Sequence, residues 1–207
     1  MLVTQITELG KGRYHVTLED GSGFPIYRGE MRKYHIREGE ELSEEEYRQF
    51  AEEVLLKRAR LRCMNLLQSK DYTRRQLEDK LRQGEYPQEC IDDAIAYVES
   101  YGYLDDERYA RSYIEYHMDT RSRIRITTDL MRKGISKEII QKGFEELEEM
   151  GVEQDELALA QKFLEKKNYS GKDATRQEKS RMYAFLCRKG IRSEVIARAL
   201  LLDITSN

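Results

Sequence analysis

The side chains in this sequence that could do chemistry are its cations. Arg74, Arg75, Lys80 and Arg82 form a first cluster. Arg121, Arg123, Arg125, Arg132 and Lys133 form a second, and Arg176, Lys179, Arg181, Arg188 and Lys189 a third. Guanidinium and ammonium groups repeated at intervals are the electrostatic footprint for a phosphate backbone or an acidic protein groove. Within Arg121–Arg125 three arginines alternate with other residues, and one helix face cannot hold all three. That segment is expected at a helix start, splayed toward a partner.

Other chemistries find no support in the spacing. Gly10-Lys11-Gly12 is too short for a phosphate loop, which needs G-x-x-x-x-G-K-[ST] between a strand and a helix. His15, His35 and His117 are isolated from one another and from the cysteines, so no metal spacing appears. No serine or cysteine stands in a motif for an activated nucleophile. Asp105-Asp106-Glu107 reads as the capped, dipole-matched first turn of a helix rather than as metal ligands. Tyr109, Tyr113 and Tyr116 fall on one helical face, and Tyr97, Tyr101 and Tyr103 surround a turn at Gly102. Packing between helices is the expected role for both groups. No catalytic residue, metal or cofactor is expected, and the chain does not read as an enzyme.

The elements that position the cations are helices. Ser43-Glu44-Glu45-Glu46 is a capping box, and from there apolar residues recur at helical spacing. Helices are expected at about 43–69, 73–83, 87–101, 105–119, 122–133, 136–149, 153–168, 175–189 and 192–202. Three stretches align: Lys80–Ile95, Leu130–Phe144 and Leu186–Leu200. In each a helix ends near a basic residue and a glycine (Gly84, Gly134, Gly190), the residue suited to the left-handed C′ position. An apolar or aromatic residue follows (Tyr86, Ile135, Ile191). The next helix then carries Ile91/Ile95, Ile140/Phe144 or Ile196/Leu200 four apart. Upstream, Leu77/Leu81, Ile126/Leu130 and Met182/Leu186 correspond, as do the capping residues Thr73 and Ser122. Each unit therefore has three helices, the first led by an alanine-containing stripe (Ala59, Ala110, Ala158).

Charge follows the repeat. Net charge is +6 over residues 57–83, −8 over 84–107, +5 over 108–137, −7 over 138–156 and +7 over 157–192, within a total of −3. Taken singly, each charge reads as a solvated face or an internal pair between helices. The threefold recurrence argues for a discontinuous positive stripe.

Composition agrees with slender helical layers: 36% of residues are charged and 39% hydrophobic, against about 25% and 45–50% in ordinary domains. The fold class is accordingly mainly α, an elongated array of three tandem three-helix repeats with a small β-rich N-terminal appendage. The appendage is read from residues 1–42, where LVTQITEL, RYHVTLED and Phe24–Tyr27 have strand patterning around a DGSG turn. The repeats are placed at 43–102, 103–151 and 152–207. No apolar run approaches the ~20 residues of a membrane span, and no signal peptide is visible. Cys63, Cys90 and Cys187, odd in number and far apart, suit a reducing cytoplasm and are expected to be packed as small hydrophobes.

With these residues in view, the chain resembles the RecX family, bacterial regulators of the RecA recombinase. The matching stretches are Ser69–Leu81, Tyr101–Ile114, Arg123–Ser136 and Phe185–Ile196, within about 57–202. The combination of YGYLDDERYA with a following R-K-G-I is the most specific part. The resemblance implies tandem three-helix repeats that bind along the groove of the RecA–DNA filament. It also implies inhibition of filament extension, of ATP hydrolysis by RecA and of strand exchange, with some members binding DNA directly, so the expected partners are the RecA filament, single-stranded DNA and also double-stranded DNA. It supplies no catalytic residues. No dimer zipper is evident, which fits a monomer. The rival reading is a general helical nucleic-acid-binding module that does not act through RecA.

Overall fold

Alternation in the first segment produces three strands, β1 (Val3–Gly10), β2 (Arg13–Leu18) and β3 (Gly23–Tyr27), paired antiparallel in the order β1-β2-β3. The computed structural model describes residues 1–171 and 174–201. Gly10-Lys11-Gly12 is the β1–β2 turn, with all three residues at positive φ (91°, 56° and 74°). At the β2–β3 turn the Asp20 carboxylate accepts the N–H and the hydroxyl of Ser22, at 2.9 and 2.6 Å. Pro25 is tolerated because β3 is an edge strand. A short helix, α1 (Arg28–Lys33), follows in a stretch whose strand-like patterning gave no sign of it.

Chain contacts divide the molecule into two units, Met1–Asp105 and Asp106–Asn207. In the first unit Ser43 caps α2 (Glu44–Phe50), which continues through a π-helical turn (Ala51–Leu55) into α3 (Leu56–Leu67). The expected single helix thus contains one wide turn, and the reason is packing. Ala51, Leu55, Ala59 and Cys63 are all buried and spaced by four. Such a stripe drifts about 40° per step around a regular α-helix, and a π turn absorbs the drift. The unit ends with α4 (Arg74–Arg82) and α5 (Gln88–Ser100). The inner face of the sheet has no core of its own. Val16, Phe24 and Ile26 join Phe50, Leu55, Leu77, Leu81, Ile91 and Ile95 in one cluster, with the Phe24 and Phe50 rings 5.3 Å apart.

The second unit holds α6 (Asp106–His117), α7 (Arg123–Arg132), α8 (Lys137–Glu149), α9 (Glu156–Glu165), α10 (Arg176–Arg188) and α11 (Ser193–Ala199). The first three enclose Ala110, Ile114, Ile126, Leu130, Ile140 and Phe144. The last three enclose Leu159, Ala160, Leu164, Leu186, Ile196 and Leu200. Fully burying one such side chain contributes about 1.5–3 kcal/mol. Gly143 lets α8 approach α6, since a Cβ there would meet Ile114 Cδ1 at 3.0 Å.

Four details of the sequence reading are corrected. The left-handed residue after α4 is Glu85 (φ 64°), not Gly84; Gly134 and Gly190 hold that position after α7 and α10 (φ 94° and 78°). In all three turns the apolar residue that follows donates its N–H to a carbonyl five residues back: Tyr86 to Leu81, Ile135 to Leu130 and Ile191 to Leu186. From cap to anchor, Thr73–Tyr86 and Ser122–Ile135 span the same length, so the first copy has no extra residue and its glycine simply stands one position earlier in the turn. Gly84 serves instead for close approach, because a Cβ would lie 3.0 Å from the Tyr86 ring. The alanine matching Ala59 and Ala110 is Ala160, which is fully buried four residues before buried Leu164; Ala158 sits in the first turn of α9. Cys63 and Cys90 are buried, but Cys187 is exposed on the outer side of α10. Tyr109 and Tyr113 stack with ring centroids 6.2 Å apart, whereas Tyr116 is 80% exposed, its ring edge-on to its neighbour His117 at 4.9 Å.

Candidate binding surfaces

The cations on α4 are tethered largely within their own unit. Thr73 caps the helix and fixes where the arginines emerge. Arg74 reaches Glu99 at 2.5 Å and Glu78 at 3.7 Å, and Arg82 reaches Glu78 at 3.4 Å and Asp79 at 3.2 Å. Lys80 donates to the Gln83 side chain at 3.2 Å. Arg75 is exposed and has no ion pair among the described residues.

On α7 the grouping is tighter. Ser122 is the buried N-cap, and its hydroxyl accepts the Arg125 N–H at 3.3 Å. Arg121, Arg125 and Arg132 gather around the carboxylate of Asp129, which is 8% exposed, at 2.9, 3.3 and 3.8 Å. Arg121 also donates to the Tyr113 hydroxyl at 2.7 Å. Arg123 pairs with Glu148 at 2.5 Å and lies 4.2 Å over the Phe144 ring. Lys133 sits over the Tyr109 and Tyr113 rings. The segment is a helix start, as expected, but its arginines are not splayed outward. A buried carboxylate one turn along draws two of them in, and α8 holds the third. His117, nearby, has its pKa lowered, chiefly by burial and then by Arg121, so at neutral pH it adds no charge.

The α10 surface differs. Thr175 and Glu178 form a capping box at its start. Arg176, Arg181 and Arg188 are exposed and carry no ion pair among the described residues, and the same holds for half-buried Lys179. On a helical wheel Arg181 and Arg188 flank one side of exposed Ser180, Ala184 and Cys187, and Arg176 lies on the other side. Small side chains there leave the α10 backbone open to close approach. Lys189 lies 5.5 Å over the Phe163 ring and 5.6 Å over Phe185, and Lys167 is 5.4 Å over Phe185. Lys167, with its neighbour Lys166, was not among the expected residues; the +7 balance of residues 157–192 had counted both.

Within the second unit the C-terminal end of α10 meets the N-terminal end of α7. The Ser122 hydroxyl donates to the Lys189 carbonyl at 2.6 Å. The Gln154 side chain donates to the carbonyls of Met118 and Arg121 (2.6 and 2.7 Å) and accepts the Arg123 N–H at 3.0 Å. A helix carbonyl end is thereby placed against a helix amide end, the favourable sense for their dipoles.

Three family models match in succession: RecX first three-helix domain at 59–97, second at 105–143 and third at 153–200. A regulatory protein RecX from Caldanaerobacter subterraneus subsp. tengcongensis is 30% identical over 202 residues, covering 97% of this chain and 98% of the relative. The chain belongs to the RecX family. Further RecX relatives include one from Clostridium botulinum (25% identical, 93% of this chain, 90% of the relative) and one from Listeria monocytogenes (23%, 100% and 77%). A crystal structure of regulatory protein RecX shares the fold at a TM-score of 0.61, with 22% identity over 96% of this chain and 98% of the other. RecX from Lactobacillus salivarius does so at 0.57, with 22% identity over 71% and 95%. RecX is a family of regulatory proteins and not a known enzyme family. Among the described residues no helix is long and apolar enough to cross a membrane.

Proposed function

We propose that this RecX chain acts in the cytoplasm as a monomer that regulates homologous recombination and DNA repair. It binds the RecA–DNA filament and restrains its extension, its ATP hydrolysis and strand exchange. Its working units are the repeats at 43–102, 103–151 and 152–207, and the cations of α10 make the first contact with DNA phosphate or acidic RecA surface. The observation that carries this reading is the pairing contrast: Arg176, Arg181 and Arg188 are exposed without ion pairs among the described residues, whereas Arg74, Arg82, Arg121, Arg123, Arg125 and Arg132 each have a carboxylate. Unpaired exposed cations can take a new anion without first giving one up. Weak contacts at several repeats would add through avidity. Inhibition further requires that the protein bind the inactive filament geometry better than the active one.

The test is RecA ATPase on single-stranded DNA titrated with this protein. The parent lowers the rate, and the triple reversal Arg176→Glu/Arg181→Glu/Arg188→Glu needs at least tenfold more protein for the same effect. Reversal of Arg74 and Arg82 shifts the curve less. A titration that leaves the ATPase untouched, together with binding to free DNA, would replace this reading by that of a nucleic-acid-binding module independent of RecA.

A further inference from the structure

The first unit contains a cleft of about 450 Å³ that shares only Lys80 with the three basic clusters, walled by β2, β3, α3, α4 and the α4–α5 turn. Four cations line it, Arg13, Arg58, Arg62 and Lys80, and no carboxylate does. Arg58 is already committed: it pairs with Glu30, donates to the Pro25 carbonyl at 3.4 Å and lies 4.8 Å over the Tyr27 ring. The other three have no carboxylate partner among the described residues; Lys80 touches only the neutral Gln83. Tyr86 stands among them. Burial raises its hydroxyl pKa, while the charges of Arg58, Arg62 and Arg13, which line the same cleft, act in the opposite direction.

Like charges gathered in a concave site repel one another, and the repulsion is relieved by a compact polyanion rather than by a single negative charge. The volume suits a small molecule, within the ~300–1,000 Å³ of ligand pockets. Beside the cations the cleft also exposes flat and apolar surface, Tyr27 at 43% and Leu61 at 60%. The side-chain amides of Asn65 and Gln83 add donors and acceptors at its wall.

We propose that this cleft binds a free nucleotide carrying two or more phosphates. Arg13, Arg62 and Lys80 hold the phosphates, and the base lies against Tyr27 and Leu61. Arg58, held by Glu30, fixes the Tyr27 ring. This site goes beyond filament binding and does not rest on it, because Arg13, Arg58 and Arg62 lie outside the three basic clusters.

Isothermal titration of the full chain with ATP, without magnesium and at about 100 mM salt, tests the assignment. ATP binds, and adenosine binds at least tenfold more weakly. Arg62→Glu or Arg13→Glu lowers ATP affinity at least tenfold, while Arg176→Glu/Arg181→Glu leaves it unchanged. If Arg62→Glu melts below the parent, Arg62→Gln replaces it, removing the charge at similar length. The assignment is overturned if ATP gives no binding, if adenosine matches ATP, or if Arg62 and Arg13 variants bind as the parent does. It is also overturned if only a single-stranded oligonucleotide binds, which would make the cleft part of a nucleic-acid surface.

Discussion

Replacing Gly190 by alanine tests the junction between the ends of α10 and α7. Gly190 has φ +78°, and an alanine in the left-handed region costs about 1 kcal/mol. The new Cβ would lie 2.6 Å from Ser122 Oγ and 3.2 Å from Ile124 Cβ. Ser122 is fully buried, and its hydroxyl joins the Lys189 carbonyl to the Arg125 N–H. Moving it aside leaves a buried polar group without its partner, a loss of about 1–3 kcal/mol. The sum is about 2–4 kcal/mol. Gly151 supplies the control: its φ is also +78°, but nothing lies within 4 Å of its would-be Cβ, so Gly151→Ala costs only the backbone share of about 1 kcal/mol. Urea unfolding followed by far-UV circular dichroism gives both values. In a thermal melt the difference corresponds to a lowering on the order of 10 °C for a unit of about 100 residues. In a Ser122→Ala background Gly190→Ala should cost less, because the obstructing oxygen is gone. Equal losses for Gly190→Ala and Gly151→Ala would refute the argument that the α10 end is docked through Ser122.

Asp129→Asn removes the charge shared by Arg121, Arg125 and Arg132, and about 2 kcal/mol of stability is expected to go with it in the same unfolding assay. A thiol reagent at pH 8 modifies one cysteine in the native protein, Cys187. Burial pushes the Cys63 and Cys90 thiols up to about 11 and about 12, so both react only after unfolding. The Tyr34 hydroxyl, with Gln49 and Lys33, holds the Glu53 carboxyl at about 2 against an ordinary 4.5. A depressed folded-state pKa stabilises the fold above the unfolded value and ceases to do so as pH falls through the folded value. The stability difference between parent and Glu53→Gln should therefore be constant above about pH 5 and vanish toward pH 2 in acid titration.

The helices and their threefold recurrence were legible because the signals are local: a capping residue, a stripe four apart, a turn before an apolar anchor. Register within the turn was less so. Gly84 and Glu85 are neighbours, and only the Tyr86-to-Leu81 hydrogen bond decides which is left-handed. The π turn follows from a drifting stripe at Ala51, Leu55, Ala59 and Cys63, visible in the spacing once burial is known. The exposure of Cys187 was hidden because helix α10 buries a narrow face, Leu186 with half-buried Met182 and Phe185. The fate of the arginines was hidden for a different reason. Arg74 meets Glu99 and Arg123 meets Glu148, each 25 residues along the chain, and such pairing depends on how the second and third helices of a repeat cross.

That crossing explains why the three basic helices are not equivalent. In the first two repeats the following helix is rich in acids: α5 carries Glu89, Asp92, Asp93 and Glu99, and α8 carries Glu138, Glu145, Glu146, Glu148 and Glu149. Helix α11 carries only Glu194. Among the described residues, Arg176, Arg181 and Arg188 accordingly form no ion pair of the kind that holds the arginines of α4 and α7. An exposed ion pair contributes about 0–1 kcal/mol, so the arginines of α4 can still exchange partners, giving back part of the gain, whereas three arginines at α7 are held by the buried Asp129. Polyanion affinity should then be dominated by α10 and scale with its own cations. With about four phosphates neutralised by Arg176, Arg181, Arg188 and Lys189, the logarithm of single-strand affinity falls with log salt at a slope near −3. Three equally active basic helices would give a slope two to three times steeper.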